Sequence, residues 1–314
     1  MTTNAPVTQH RPLDLPLVGA SYTAMLRTPR HAWWRPLLSI GIVAICAATV
    51  MFVPVMVYGI VRAVRRGPAS LSDDMLMEPS GMLVLNLSLA ALILVALFAI
   101  AVAHPVKARF LHSVEGRVRW RWLARCLLLL LPLWIAYVGI GWLAEGRVEP
   151  RPEGWVWLIA MAVLVTPLQA AGEEYLFRGW VMASLGAWFR DTRVALVLAV
   201  VVSSVLFAAA HGSADPWIVG TLVVMSIACV YLTWRTGGLE AAVAMHVVNN
   251  VVVIIVSTLD GTLADSFIDE TTAGSPMMFL TSTVVTALAT WLLVWQAGRA
   301  GICRTVPSHV GARA

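Results

Sequence analysis

The chain has 314 residues, 59% hydrophobic and 12% charged, with a net charge of +5 and a mean hydropathy of +0.80. Soluble domains carry roughly 25% charged residues, so this composition excludes an ordinary soluble domain and indicates an all-α polytopic membrane protein. The basic balance does not call for a nucleic-acid partner, because the basic residues flank apolar runs.

The first 36 residues form a polar, Pro-rich and basic arm, read as cytoplasmic. It precedes any apolar run, which is the wrong order for a cleavable signal peptide. A membrane helix needs about 20 apolar residues. Eight stretches meet this: 37–60, 82–103, 122–143, 155–176, 194–211, 217–234, 239–258 and 277–297. Pro54 in the first predicts a kink that a membrane helix tolerates. The chain divides into the arm at 1–36, accessory helices at 37–150, a core at 151–258 and a last helix with its tail at 259–314. There is no internal repeat. That argues against a transporter, whose two halves commonly mirror each other. The four Cys, at 46, 126, 229 and 303, have no zinc or disulfide spacing and read as apolar packing.

Loop charge predicts the orientation. One set of alternate segments holds Arg11, Arg27, Arg30 and Arg35, then Lys107, Arg109, Arg117, Arg119 and Arg121, then Arg178, Arg190 and Arg193, then Arg235, Arg299, Arg304 and Arg313. The other set holds only Arg62, Arg65, Arg66, Arg147 and Arg151, with Asp260, Asp265, Asp269 and Glu270 in its last loop. Both termini are therefore expected in the cytoplasm. Trp33, Trp34, Trp120, Trp122, Trp155, Trp157 and Trp217 fall near span ends as an aromatic belt. Lys107 is the single Lys among 22 basic residues, a codon bias suggesting a GC-rich bacterial genome and hence a bacterial plasma membrane.

Ionised groups inside apolar helices are costly and mark function. Glu173, Glu174 and Arg178 stand in a run that is otherwise apolar from Trp155 to Phe189. Adjacent helical residues diverge by about 100°, so the two carboxylates cannot serve one point equally. Glu174 lies four residues before Arg178 and can pair with it along one face. Glu173 is left as the free carboxylate, the candidate base. His211 ends the next apolar run, before the breaker Gly212-Ser213-Ala214-Asp215-Pro216. With a hairpin turn at Arg190–Arg193, Glu173 lies about 17 residues before it and His211 about 18 after, so both stand ~25 Å from the turn. His246 and Asn250 share a face at i and i+4, whereas Asn249 points elsewhere.

Eight full spans would nonetheless leave His211 and His246 at opposite depths. They meet if the fourth helix runs past Arg178 and the 212–216 break lies inside the protein, which implies a hydrated cavity open to the cytoplasm. A carboxylate, two imidazoles and an amide suit peptide hydrolysis, which needs a base, a second group to hold water, and oxyanion donors. The same imidazoles and carboxylate (Glu173, His211, His246) are the alternative ligand set for a divalent metal such as zinc. No HExxH, GxSG or GxGD sequence occurs.

Three segments carry a resemblance: Glu173-Glu174-Tyr-Leu-Phe-Arg178, Phe207-Ala-Ala-Ala-His211 and His246-Val-Val-Asn-Asn250. They resemble, in order and spacing, the EExxxR, FxxxH and HxxxN motifs of the CPBP family of CAAX proteases and bacteriocin-processing proteins, also called Abi. The resemblance covers roughly residues 155–257. It implies an integral-membrane endopeptidase similar to the type II CAAX prenyl protease, acting on a membrane-associated protein or peptide. Carried over, Glu173 and His211 would activate water, and His246 and Asn250 would stabilise the oxyanion. Glu174, Arg178 and Phe207 would support them. The resemblance also leaves room for a catalytically silent membrane adaptor or bacteriocin self-immunity protein. The family has been described as metal-dependent; the residues themselves favour a glutamate mechanism without a cofactor.

Overall fold

The computed structural model describes residues 13–308 apart from 72 and 77, so Arg11 and Arg313 of the charge argument lie outside the described residues. Among the described residues every regular element is a helix, and strand-type pairing is confined to isolated bridges. In chain order these are α1 (Arg35–Arg66), α2 (Pro79–Ala90), α3 (Leu92–Ala103), α4 (Trp120–Glu145), α5 (Trp155–Leu164) and α6 (Thr166–Glu174). A π-helix (Tyr175–Val181) follows, then α7 (Met182–Trp188), α8 (Thr192–Ala209), α9 (Pro216–Thr236), α10 (Glu240–Asp260) and α11 (Pro276–Arg299). Seven helical segments are long and apolar enough to cross a membrane, with α2 and α3 counted as one, and the bent α5–α7 run makes an eighth. This is a multi-pass integral membrane protein.

Local chemistry sets the helix starts. Asp191 caps α8 by accepting from the amides of Arg193 and Val194. Asp215 does the same for α9 from Trp217 and Ile218, with Pro216 in the first turn, and Ser275 caps α11 from Met278. A capping oxygen satisfies amides that a helix start otherwise leaves bare. The expected kink at Pro54 does not interrupt α1, which runs unbroken through it. The break falls instead at Val165, where the chain bends by 42°. Pro167, just beyond, has no amide hydrogen for the carbonyl four residues earlier, so the ladder opens there. The uninterrupted span expected at 155–176 is thus corrected to a bent segment that continues to Trp188.

Two large apolar clusters and two smaller ones make up the interior. Of the large ones, one joins α1, α3, the π-helix and α7 with arm residues Tyr22, Met25 and Leu26. The other joins α4, α9, α10 and α11 around Trp134, Met245 and Leu293. Of the membrane-crossing helices α10 is the most enclosed and α1 the least. Gly172 marks a tight crossing: a Cβ there would stand 2.0 Å from the Leu89 carbonyl oxygen, at the joint between α2 and α3. Backbone cannot yield as a side chain can. Gly172→Ala is expected to destabilise the protein by about 1–3 kcal/mol, the usual result of overpacking, despite alanine's better helix propensity. A denaturant melt in detergent checks this; an unchanged midpoint would mean the crossing is looser than described.

The depth problem resolves at an end of the molecule that the sequence did not indicate. The fourth segment does run past Arg178. The 212–216 break, however, is not enclosed: Gly212, Ala214 and Pro216 are exposed, which corrects that expectation. What brings His246 level is a recessed α9–α10 turn. Residues 236–240 are buried, with the Val114 amide donating to the Gly237 carbonyl at 2.8 Å and the Leu239 amide to that of His112 at 3.0 Å. Gly237 has φ +64° and abuts the Cys303 carbonyl, so a side chain there would collide. Glu240 opens α10 and is clasped by Arg119, through the backbone amide and Nε at 2.9 Å and Nη2 at 2.5 Å. The 104–119 loop and the 302–306 tail thus roof this turn, while α6–α7 and α8 extend past it into the N-terminal arm, where Gly186 meets the Thr23 backbone.

Candidate active site

The motif residues come together from α6, the π-helix, the end of α8 and α10, where Phe207 packs in a smaller apolar cluster with Phe177 and Leu222. Glu174 and Arg178 are fully buried. Arg178 Nη1 donates to Glu174 Oε1 at 2.9 Å, the i to i+4 pair that spacing anticipates. The same Oε1 faces His246 Nδ1 at 2.8 Å. Glu174 therefore does more than brace its own helix: it ties α6 to α10 and fixes the orientation of the His246 ring. The Arg178 guanidinium lies 4.2 Å over the Phe207 ring, a desolvated cation–π contact. The π-helix begins at Tyr175, immediately after the two carboxylates. Single π turns are rare and re-aim the residues that follow, often at functional sites. Ser203 on α8 donates to the Phe177 carbonyl at 3.2 Å, holding this segment against the next helix.

Glu173 is buried at 8% exposure, unlike its paired neighbour, which is inaccessible. One carboxylate oxygen accepts from Gln169 Nε2. The other faces His246 Nε2 at 3.9 Å. That gap is too long for a direct hydrogen bond, and separations of this kind suit a shared water. Asn250 donates through Nδ2 to Gln169 Oε1 at 3.2 Å. Glu173, His246 and Asn250 are thereby brought together around Gln169.

No hydrogen bond or ion pair joins His211 to Glu173 among the described residues. Its Nδ1 meets the Phe207 carbonyl at 2.8 Å, one turn back on its own chain, which leaves Nε2 uncommitted. Its ring packs on Phe207 at 4.8 Å, and Phe207 in turn meets His246 at 5.8 Å and Phe177 at 5.5 Å. Phe207 thus touches both histidines and lies under Arg178. The half-buried His211 stands at the rim of the site.

The alternative metal set does not fit this arrangement. Among the described residues no three His, Cys, Asp or Glu side chains converge as a metal-binding group. His246 Nδ1 is committed to Glu174, and His211 Nδ1 to the Phe207 carbonyl.

Several polar residues of the site lacked a motif to announce them. Gln169 is one turn before Glu173, and a lone amide in an apolar helix four residues from a carboxylate was the available signal. Asn249, on another face from Asn250's partners, accepts from Trp134 Nε1 at 3.1 Å. His112 contacts the Tyr175 hydroxyl. Burial lowers the pKa of the His112 imidazole from its ordinary value, against the opposing charge of Glu240. Two apolar grooves, of about 520 Å³ along α1 and about 340 Å³ between α2 and α5, contain none of the motif residues.

Fold and site together define a multi-pass helical membrane protein with a buried cluster of carboxylate, imidazole and amide side chains. Residues 153–252 match the family described as Type II CAAX prenyl endopeptidase, Rce1-like. The match supports assignment to the CAAX protease/CPBP family, and it takes in all three motifs. A stretch of 103 residues is 30% identical to the uncharacterized protein YyaK of Bacillus subtilis (strain 168), covering 31% of this chain and 33% of that one. The chain therefore matches about a third of that relative's length. No solved structure matches the chain significantly.

Proposed function

We propose that the protein is an intramembrane endopeptidase that hydrolyses a peptide bond of a membrane-associated protein or peptide, CAAX-type prenylated or bacteriocin-like, at the cytoplasmic side of a bacterial plasma membrane. The observation that carries this reading is the pair formed by Glu173 Oε2 and His246 Nε2, 3.9 Å apart, in an otherwise apolar interior. Water held between them is deprotonated by Glu173, and its oxygen attacks the scissile carbonyl. Glu174 orients His246 from behind, as buried carboxylates orient catalytic imidazoles elsewhere. The Asn250 amide, with one Nδ2 hydrogen committed to Gln169, offers the other to the developing oxyanion. His211, whose Nε2 is uncommitted at the rim, helps hold the water from the substrate side, and the proton taken up by Glu173 passes to the leaving amine as the C–N bond breaks. A glutamate mechanism is favoured over a metal one because the candidate ligands do not converge.

The test is turnover of a membrane-tethered peptide, with and without a prenyl group, by the purified protein. His211→Ala and Glu173→Ala are each expected to lower the rate by about 10²–10⁴-fold, the usual contribution of a positioned acid or base. Equal turnover by wild type and both variants would sink the assignment. Activity abolished by a chelator and restored by Zn²⁺ would replace the glutamate mechanism with a metal one.

A further inference from the structure

A single run of hydrogen bonds leads from α4 through α10 to the candidate base on α6. Trp134 Nε1 donates to Asn249 Oδ1 at 3.1 Å. Asn249 Nδ2 donates to Asn250 Oδ1 at 3.0 Å. Asn250 Nδ2 donates to Gln169 Oε1 at 3.2 Å, and Gln169 Nε2 donates to Glu173 Oε1. The three amides are each able to point either way, since a carboxamide offers an acceptor on one side and donors on the other. The two ends are not. An indole nitrogen only donates, and an ionised carboxylate only accepts. The direction of the whole run is therefore set by its termini: with Trp134 donating at one end, each amide in turn must present its oxygen backward and its nitrogen forward.

We propose that Trp134 is the polarity anchor of the site, and that Asn249 and Gln169 are positioning residues through which it sets the amide of Asn250 and the carboxylate of Glu173. The consequence is chemical. Turned the other way, Asn250 would present its amide nitrogen to Asn249 and its oxygen to the interior, where it would repel a developing oxyanion rather than donate to it. Gln169 would likewise bring an oxygen against the Glu173 carboxylate. Buried amide chains polarise one another and are costly when half satisfied, so reversing one link disturbs every other. Trp134 is suited to the anchoring role because it is 2% exposed and clamped in the α4–α10 core beside Cys126, Leu130 and Met245. Its indole cannot swing away. Asn249 and Asn250 are neighbours on α10, which explains why a second Asn precedes Asn250 at a position that faces away from the motif surface.

This proposal rests on the endopeptidase reading for its kinetic consequence but not for its physical content, so two readouts separate them. The first is spectroscopic. The Trp134 indole ¹H–¹⁵N resonance, assigned by its loss in Trp134→Phe, is expected to shift in Glu173→Gln, because a neutral amide at the far end polarises the run of donors less than a carboxylate does. It is also expected to shift in Asn249→Asp. An indole resonance in Glu173→Gln that coincides with wild type overturns the relay, whatever the activity. The second is kinetic, on the tethered peptide. Asn249→Asp still accepts from Trp134 and so keeps the tie between α4 and α10, yet it cannot donate to Asn250. Trp134→Phe removes both. If the relay matters, each lowers kcat by about tenfold, the scale of one hydrogen bond in the transition state, with KM unchanged. If Trp134 only braces the helices, Asn249→Asp turns over like wild type, and the proposal fails. Should wild type show no turnover at all, the endopeptidase reading fails, and the indole resonance alone decides the relay.

Discussion

Glu173→Gln is expected to give a folded protein whose turnover of a tethered peptide falls by about 10²–10⁴-fold, the range lost with a general base. The substitution is nearly isosteric. Gln169 Nε2 can still donate to the new amide oxygen, so the α6 packing has no reason to change. What disappears is the proton acceptor opposite His246 Nε2. The thermal midpoint in detergent should stay within a few degrees of wild type, because Glu173 has no cation of its own to strand. A rate within tenfold of wild type would show that the base is another residue, and His246, oriented by Glu174, is the first to examine.

Arg178→Leu should act in the opposite sense, on stability first. Both members of the Glu174–Arg178 pair are inaccessible, and removing one partner of a buried pair commonly costs about 3–5 kcal/mol because the other charge is left uncompensated. The loss includes the cation–π contact to Phe207. Glu174→Gln should likewise lower stability and activity together, since one oxygen holds both Arg178 Nη1 and His246 Nδ1. The double variant Glu174→Leu with Arg178→Leu should recover part of the stability lost in either single variant, as neighbouring effects are not additive, while staying inactive for want of the His246 anchor. Unfolding midpoints of the three proteins, read beside their turnover, decide the matter. If Glu174→Gln matches Glu173→Gln, stable but inactive, the division of labour between the adjacent carboxylates is wrong.

That division was partly legible in the chain. Helical spacing alone pairs Glu174 with Arg178 and sets Glu173 apart, and the structure has both. It does not anticipate that Glu174 also reaches His246, because that contact joins residues 72 apart on different helices. Hairpin arithmetic made Glu173 and His211 level. It carries no information on contact, because rotation about the helix axis is decided by packing: both histidines touch Phe207, and His246 faces Glu173 at 3.9 Å. Gln169 and Trp134 carry signals too weak to read singly. A lone amide or indole in an apolar helix is ordinary until its partner is known.

From the sequence by itself come the membrane class, the eight crossing segments, the identity of the polar residues buried among them and the three spacings that resemble a protease family. These are local properties, fixed by hydropathy over a helix length and by the 3.6-residue turn. Only the tertiary structure decided how the segments meet: the bend at Val165, the recessed α9–α10 turn under the 104–119 loop, the crossing at Gly172, and the hydrogen-bond direction imposed by Trp134 on a carboxylate two helices away. Each depends on side chains distant in sequence that pack or pair only once the helices associate, and periodicity within one helix contains no information about its neighbour.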